Sequence, residues 1–262
     1  MKKLAVCIFG LNRSLSITHN SILNNVIEPL KSRFLVDVFA GINLPKQNFT
    51  NIRSNEKDVK IEVDSLSLLP LKKIISFEQE EFDFINFEQQ NVLLNIADAY
   101  GDQHQSSKNI FRSLFAYQIS FNLASTTDDF DYFLFLRPDL FYIDKFDAER
   151  LFTITISNQK FYATPNWQQW DGLNDRIGFC DKQAAQILSQ RLYHVKEFCE
   201  TQHLPLHSET FLLWYCIKNK INYKCFFPER AIRVRGNGVF SEEHFQQSGT
   251  SPLEQKFMIS DL

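Results

Sequence analysis

The stretch that most constrains this chain is Phe130-Asp131-Tyr132-Phe133-Leu134-Phe135-Leu136-Arg137-Pro138-Asp139-Leu140-Phe141-Tyr142. Tyr132 to Leu136 are all apolar and do not alternate. A strand wetted on one face alternates, so an unbroken run this short predicts a strand buried on both faces, as in the middle of a parallel sheet. Arg137 and Asp139 follow, with Pro138 between them. Pro138 cannot donate to a sheet ladder, so regular pairing stops there. Charges at the carboxyl end of a central strand stand where open α/β sheets bind ligands.

Other segments fit the same class. Leu4–Phe9 is a second continuous apolar run, followed by the turn Gly10-Leu11-Asn12-Arg13. Leu15, Ile22, Leu23, Val26, Ile27 and Leu30 recur at helical spacing, with Pro29 expected to distort or end that helix. Phe34–Ala40 reads as a third strand, completing a βαβ unit. The spacing predicts helices over Ser107–Leu123, from Asp181 to about Cys199, and over Ser208–Lys218. Thr153–Ile156 and Lys160–Ala163 read as short strands, and Arg230–Arg235 alternates basic and apolar. Residues 43–90 read as an irregular insertion, with Lys60–Val63 a short strand and a helix from Phe77 or later. The organisation expected is one domain over 1–240 and a polar tail over 241–262.

The chain of 262 residues, 44% hydrophobic and 23% charged, suits one large α/β domain. A net charge of −3 gives no footprint for nucleic acid, and no stretch is long enough to span a bilayer. Five scattered cysteines without Cys-x-x-Cys argue against zinc or thioredoxin-like chemistry and suggest a reduced, cytoplasmic setting. His104, His194 and His203 lack ligand spacing.

Several residues are candidates for chemistry. On extended chain Arg137 and Asp139 point the same way. They form either a local salt bridge or a site for a phosphorylated ligand, with Arg137 on phosphate and Asp139 on metal or sugar. The Gly10–Arg13 turn offers backbone N–H groups and a positive charge to an anion, but it is neither a dinucleotide fingerprint nor a Walker loop. Trp170, Asn174, Asp175 and Arg176 lie in a loop with the aromatic faces and planar polar groups that recognise sugars; a capped turn reads similarly. Glu209 opens a helix, either as ordinary first-turn chemistry or as a general base. Arg233 and Arg235 share a strand face and suit either a diphosphate clamp or a charged edge. Arg112 is placed by its helix to border the same cleft.

A central strand ending in Arg137-Pro138-Asp139, a first strand ending in Gly10-Leu11-Asn12-Arg13, the later Asn174-Asp175-Arg176 and the late Ser208-Glu209 resemble bacterial glycosyltransferase-like proteins of the GT-A fold. That group is associated with cell-surface polysaccharide synthesis. The resemblance spans roughly residues 3–42 and 105–240. It implies a Rossmann-like mixed sheet and transfer of a sugar from a nucleotide-sugar to a carbohydrate or lipid-linked acceptor; the expected setting is the cytoplasm, with a peripheral place at the inner membrane face as the alternative. Gly10, Asn12, Arg13, Arg112, Arg137, Asp139, Arg233 and Arg235 would serve the donor. Trp170, Asn174 and Arg176 would meet the acceptor or sugar, and either Asp175 or Glu209 would be the base. Such enzymes usually hold Mg2+ or Mn2+ on Asp-x-Asp; here Arg137 takes the first acidic position. A guanidinium about 6 Å from a dication repels it by roughly 5 kcal/mol at an effective dielectric of about 20. Metal-independent transfer is therefore weighed beside metal at Asp139. The competing readings are a binding module without catalysis and a nucleotidyltransferase, for which the expected Gly-rich basic loop is missing.

Overall fold

A computed structural model of the chain describes residues 1–246, except 47, 62, 87–90, 92–94 and 158, together with 253, 254, 256 and 257. In chain order the elements begin with β1 (Lys2–Leu11), α1 (Leu15–Ile22), a π-helical turn (Leu23–Ile27), α2 (Glu28–Leu30) and β2 (Phe34–Leu44). A small hairpin follows, β3 (Phe49–Asn51) and β4 (Glu56–Val59), then β5 (Leu71–Glu78), α3 (Gln79–Ile85) and the long α4 (Gln105–Ser125). The second half runs β6 (Tyr132–Leu136), β7 (Leu140–Tyr142), α5 (Ala148–Ser157), β8 (Phe161–Pro165), β9 (Ile177–Asp181), α6 (Lys182–Ser189), α7 (Val195–Gln202), α8 (Ser208–Lys218), β10 (Asn222–Phe227) and β11 (Ala231–Arg233).

Seven strands form one sheet in the order β5-β2-β1-β6-β9-β8-β10. β9 runs antiparallel to β6 and β8, and the other pairings are parallel. The sheet is the mixed central one expected, flanked by helices. β1 and β6 are its centre, and their side chains split between two cores. Cys7, Phe9, Phe133 and Phe135 face one, with α4 and α8; Val6, Ile8, Leu134 and Leu136 face the other, with α1 and α5. Burial on both faces is why neither strand alternates in sequence. Phe rings fill the α4 side: Phe135 stacks on Tyr117 at 3.7 Å, and Phe9 meets the same ring edge-on at 5.1 Å. Helix α4 sits so close that a Cβ on Gly41 would stand 2.2 Å from the Ala116 carbonyl oxygen. The five cysteines are free thiols. Among the described residues no helix is long and apolar enough to cross a membrane.

Some local expectations differ from the structure. Residues 153–156 lie in helix α5, not a strand. Their β-branched side chains mimic a strand, but Ala148, Leu151 and Ile154 are buried at helical spacing and Asp147 Oδ1 accepts the Arg150 N–H at 3.0 Å. Segment 43–90 is not wholly irregular. β2 continues to Leu44, and β5 forms the sheet edge, where Lys72, Lys73, Ile74 and Ile75 are all exposed and apolar residues do not alternate with polar ones. The expected strand at 60–63 is absent: Val63 opens a 3-10 turn, and residue 62 lies outside the described residues. The Asp181 cap is present, but the helix breaks after Ser189. Pro29 has no N–H for the Asn25 carbonyl, which accepts the Phe146 N–H at 2.7 Å; the π-helical turn lies just before it. After Ser241 the chain is not simply a loose tail, since the Glu243 side chain and Phe257 are buried.

Candidate active site

A cleft of about 440 Å³ opens over the carboxyl ends of β1 and β6. Gly10 reaches it from the last residues of β1, Arg13 from the turn that follows, and Arg137 from the end of β6. Three further pieces close it. The β7–β11 pairing, which sets Leu140 against Arg233, brings Arg233 and Arg235 alongside. The loop 168–176 supplies Trp170, Asp175 and Arg176, and the start of α8 supplies Glu209. Asp175 and Glu209 come together because Gly172 packs on α8: a Cβ there would stand 2.0 Å from the Glu209 carbonyl oxygen, which accepts the Leu173 N–H at 3.0 Å.

The floor is an ion network. Asp139 is fully buried. Its Oδ2 accepts from Arg13 Nε at 3.0 Å and Arg13 Nη2 at 2.5 Å. Arg137 grips the same carboxylate with both forks, Nε on Oδ1 and Nη2 on Oδ2, each at 2.9 Å. Burial alone would raise the Asp139 pKa, but Arg137 and Arg13 hold it far below the usual carboxylate range. Burial likewise opposes the charge on Arg137, and Asp139 more than offsets it. Arg13 spends its remaining nitrogen on Glu56 Oε2 at 2.7 Å, and Glu56 Oε1 accepts the Gly236 N–H at 2.7 Å. Glu56 thereby pins the β3–β4 hairpin across the mouth.

Above that floor positive charge is crowded. Burial, then Arg176, Arg137 and Arg235, push Arg233 down to about 9, where the guanidinium still carries its charge at neutral pH. Its Nε is buried and has no hydrogen-bond acceptor among the described residues. Arg235 is also lowered, by burial and then Arg13. On the opposite wall Glu209 is raised to about 8 by burial and then by Asp175. Asp175 accepts the Ser208 hydroxyl. Burial lowers the His207 pKa; its ring stacks on Tyr100, over which Arg53 lies at 4.2 Å.

Nine of the expected residues line the cleft: Gly10, Arg13, Arg137, Arg233 and Arg235, with Trp170, Asp175, Arg176 and Glu209 opposite. Four do not, and each has a different job. Arg112 turns to Asp83, with Nε 3.0 Å from Oδ1, because α4 presents Asn109 and Ser113 to the cleft instead. Asn12 is buried and donates to Ser65 Oγ at 3.0 Å, holding the turn. Asn174 shapes its loop, donating to the Trp167 carbonyl and accepting the Arg176 N–H. Asp139 lies behind the arginines and does not line the cleft. Its oxygens already take four N–H bonds from two cations, so the donor set does not fit Mg2+ or Mn2+ there. Among the described residues no group of three or more His, Cys, Asp or Glu side chains is placed to hold a metal ion. Glu56 and Glu243 were not foreseen at all.

No protein-family model matches the sequence, and no curated protein matches it. A solved structure is similar. It is the crystal structure of mouse xyloside xylosyltransferase 1 in its apo form, with 12% identity over 86% of this chain and 84% of that one, at a TM-score of 0.43.

Proposed function

We propose that this cleft binds the diphosphate of a nucleotide-sugar and transfers the sugar to a carbohydrate or lipid-linked acceptor. The observation that carries the reading is Arg233, a part-exposed guanidinium crowded by other arginines, whose buried Nε–H has no hydrogen-bond acceptor among the described residues. Such a group calls for an anion, and planar arginines suit phosphate oxygens. Arg137 supplies a second contact: its side chain is 23% exposed while both forks are fixed by Asp139, so it meets a ligand with no search over rotamers.

In the reaction the anomeric C–O bond to the diphosphate breaks and its electron pair goes to the leaving oxygen. Arg137, Arg233 and Arg235 stabilise the charge that develops there. The acceptor hydroxyl oxygen bonds to the anomeric carbon, and its proton passes to Glu209. A carboxylate near 8 is a better match for that proton than an ordinary one. Asp175, held by Ser208, is the neighbour that raises it further. Trp170, 56% exposed at the rim, offers a ring face to a sugar. Surface-polysaccharide synthesis follows from the motif resemblance. The test is titration with UDP-, GDP-, CDP- and TDP-sugars, followed by assay of donor hydrolysis and transfer. Binding with turnover supports the enzyme, binding without turnover supports a sugar-nucleotide module, and no binding removes both.

A further inference from the structure

The chain reverses after β11. Arg235 N–H bonds the Val239 carbonyl, Val234 pairs with Phe240, and Ser241 N–H returns to the Arg233 carbonyl at 2.8 Å. This reversal lays Glu242, Glu243 and His244 along the cleft and drives one carboxylate, Glu243, into its arginine wall. The Glu243 side chain is 3% exposed. Its Oε2 accepts from Arg176 Nη1 at 3.1 Å and Gln168 Nε2 at 2.5 Å. Its Oε1 faces Arg233, 3.4 Å from the backbone nitrogen and 3.7 Å from Nε. Glu243 thus satisfies Arg176 but leaves the Arg233 Nε without a hydrogen bond. A carboxylate brings two oxygens to a cradle of Gln168, Arg176 and Arg233 that has donors for more.

We infer that the Gln168–Arg176–Arg233 cradle is an anion subsite for a phosphate group, and that Glu243 is its internal occupant, displaced when a diphosphate binds. This rests on the diphosphate reading of the cleft. Residues 241–246 have no helix or strand of their own, and Phe245 against Trp167, 5.2 Å between ring centres, is their apolar anchor. Displacement therefore breaks few backbone bonds. A phosphate group offers a third oxygen to the Arg233 Nε that Glu243 does not reach, while Glu243 opposes it by like charge and by holding the donors.

The experiment titrates inorganic pyrophosphate into the wild-type protein and into Glu243→Gln, Glu242→Gln and Arg137→Ala. Glu242 also lines the cleft but is exposed, so its variant changes net charge equally without emptying the cradle. Glu243→Gln is expected to bind about tenfold tighter, the scale of one charge-assisted hydrogen bond, and Glu242→Gln less than about threefold. Equal effects of the two glutamates, or no gain from Glu243→Gln, overturn the inference. If Arg137→Ala still weakens binding in that case, the cleft reading survives alone. If no variant binds pyrophosphate, both fall. Hydrogen exchange on the wild-type chain needs no variant: pyrophosphate is expected to speed exchange of the Ser241 amide, which donates to the Arg233 carbonyl, and unchanged or slowed exchange there overturns the displacement.

Discussion

Arg13 and Asp139, 126 residues apart, meet through two hydrogen bonds to a single carboxylate oxygen, from Nε at 3.0 Å and Nη2 at 2.5 Å. With Arg137 on the same carboxylate, one acid fixes two cations at the floor of the cleft. Removing that acid leaves uncompensated buried charge. Asp139→Ala is expected to lower stability by about 3–5 kcal/mol, seen as a reduced urea midpoint. Arg137→Ala, whose side chain reaches solvent, is expected to cost far less stability while lowering ligand affinity.

The arginines divide by direction. Arg233→Ala is expected to weaken binding of a nucleoside diphosphate about tenfold or more, the scale of a charge-assisted hydrogen bond. Arg112→Ala, turned to Asp83 outside the cleft, is expected to leave that affinity unchanged. Calorimetric titration of both variants checks the contrast.

Glu209 sets a pH dependence. As base it must be ionised, so transfer is expected to rise with pH up to about 8 and then level off, and Glu209→Gln should lose most of the rate along with that rise. Stability runs the other way. A carboxyl whose folded pKa is raised binds its proton more tightly when folded. Its contribution is full below the ordinary carboxylate range and is lost as pH rises through about 8. Unfolding free energy of Glu209→Gln should therefore decline less over that window than that of the wild type, by chemical denaturation at several pH values.

Gly172 is a test of how the two carboxylates are held. A Cβ there would sit 2.0 Å from the Glu209 carbonyl oxygen, so Gly172→Ala must push the 168–176 loop off α8. On the proposed reading turnover is expected to fall more steeply than donor affinity, because both Asp175 and its contact with α8 would shift, whereas Arg137, Arg233 and Arg235 lie off this loop and only Gln168 and Arg176 of the donor side move with it. Separate measurement of donor binding and of transfer rate shows whether the two respond differently.

Much of this architecture is legible in the sequence where one physical signal dominates. Tyr132–Leu136 announces a doubly buried strand, and Arg137, the first charge after it, lands in the cleft. Asp175 and Glu209 stand out as acids beside a Trp-rich loop and at a helix start. Glu56 and Glu243 do not. Each is one acid in a polar stretch, and its burial is created by arginines 43 and 67 residues away in sequence, which no local pattern records. Asp139 stands between: its local salt bridge with Arg137 is one of the two readings of the sequence and is present, but that Arg13 joins it depends on how the turn after β1 meets the end of β6. The α5 segment was obscured differently, because β-branched residues read as strand until the buried face of the helix is known.

The metal question has a direct answer in an assay. With Asp139 occupied by two guanidinium groups, transfer is expected to persist in excess chelator. Complete loss restored by Mn2+ or Mg2+ would mean that another donor set forms with the substrate.

The proposed function requires that arginines fixed at the end of β6 and beside it bind a diphosphate. Calorimetric titration of the wild type and Arg137→Ala with UDP-, GDP-, CDP- and TDP-sugars tests it most directly. At least one donor is expected to bind the wild type, with affinity falling about tenfold or more in Arg137→Ala. Equal affinity in the two proteins, or no binding of any donor to the wild type, would contradict it.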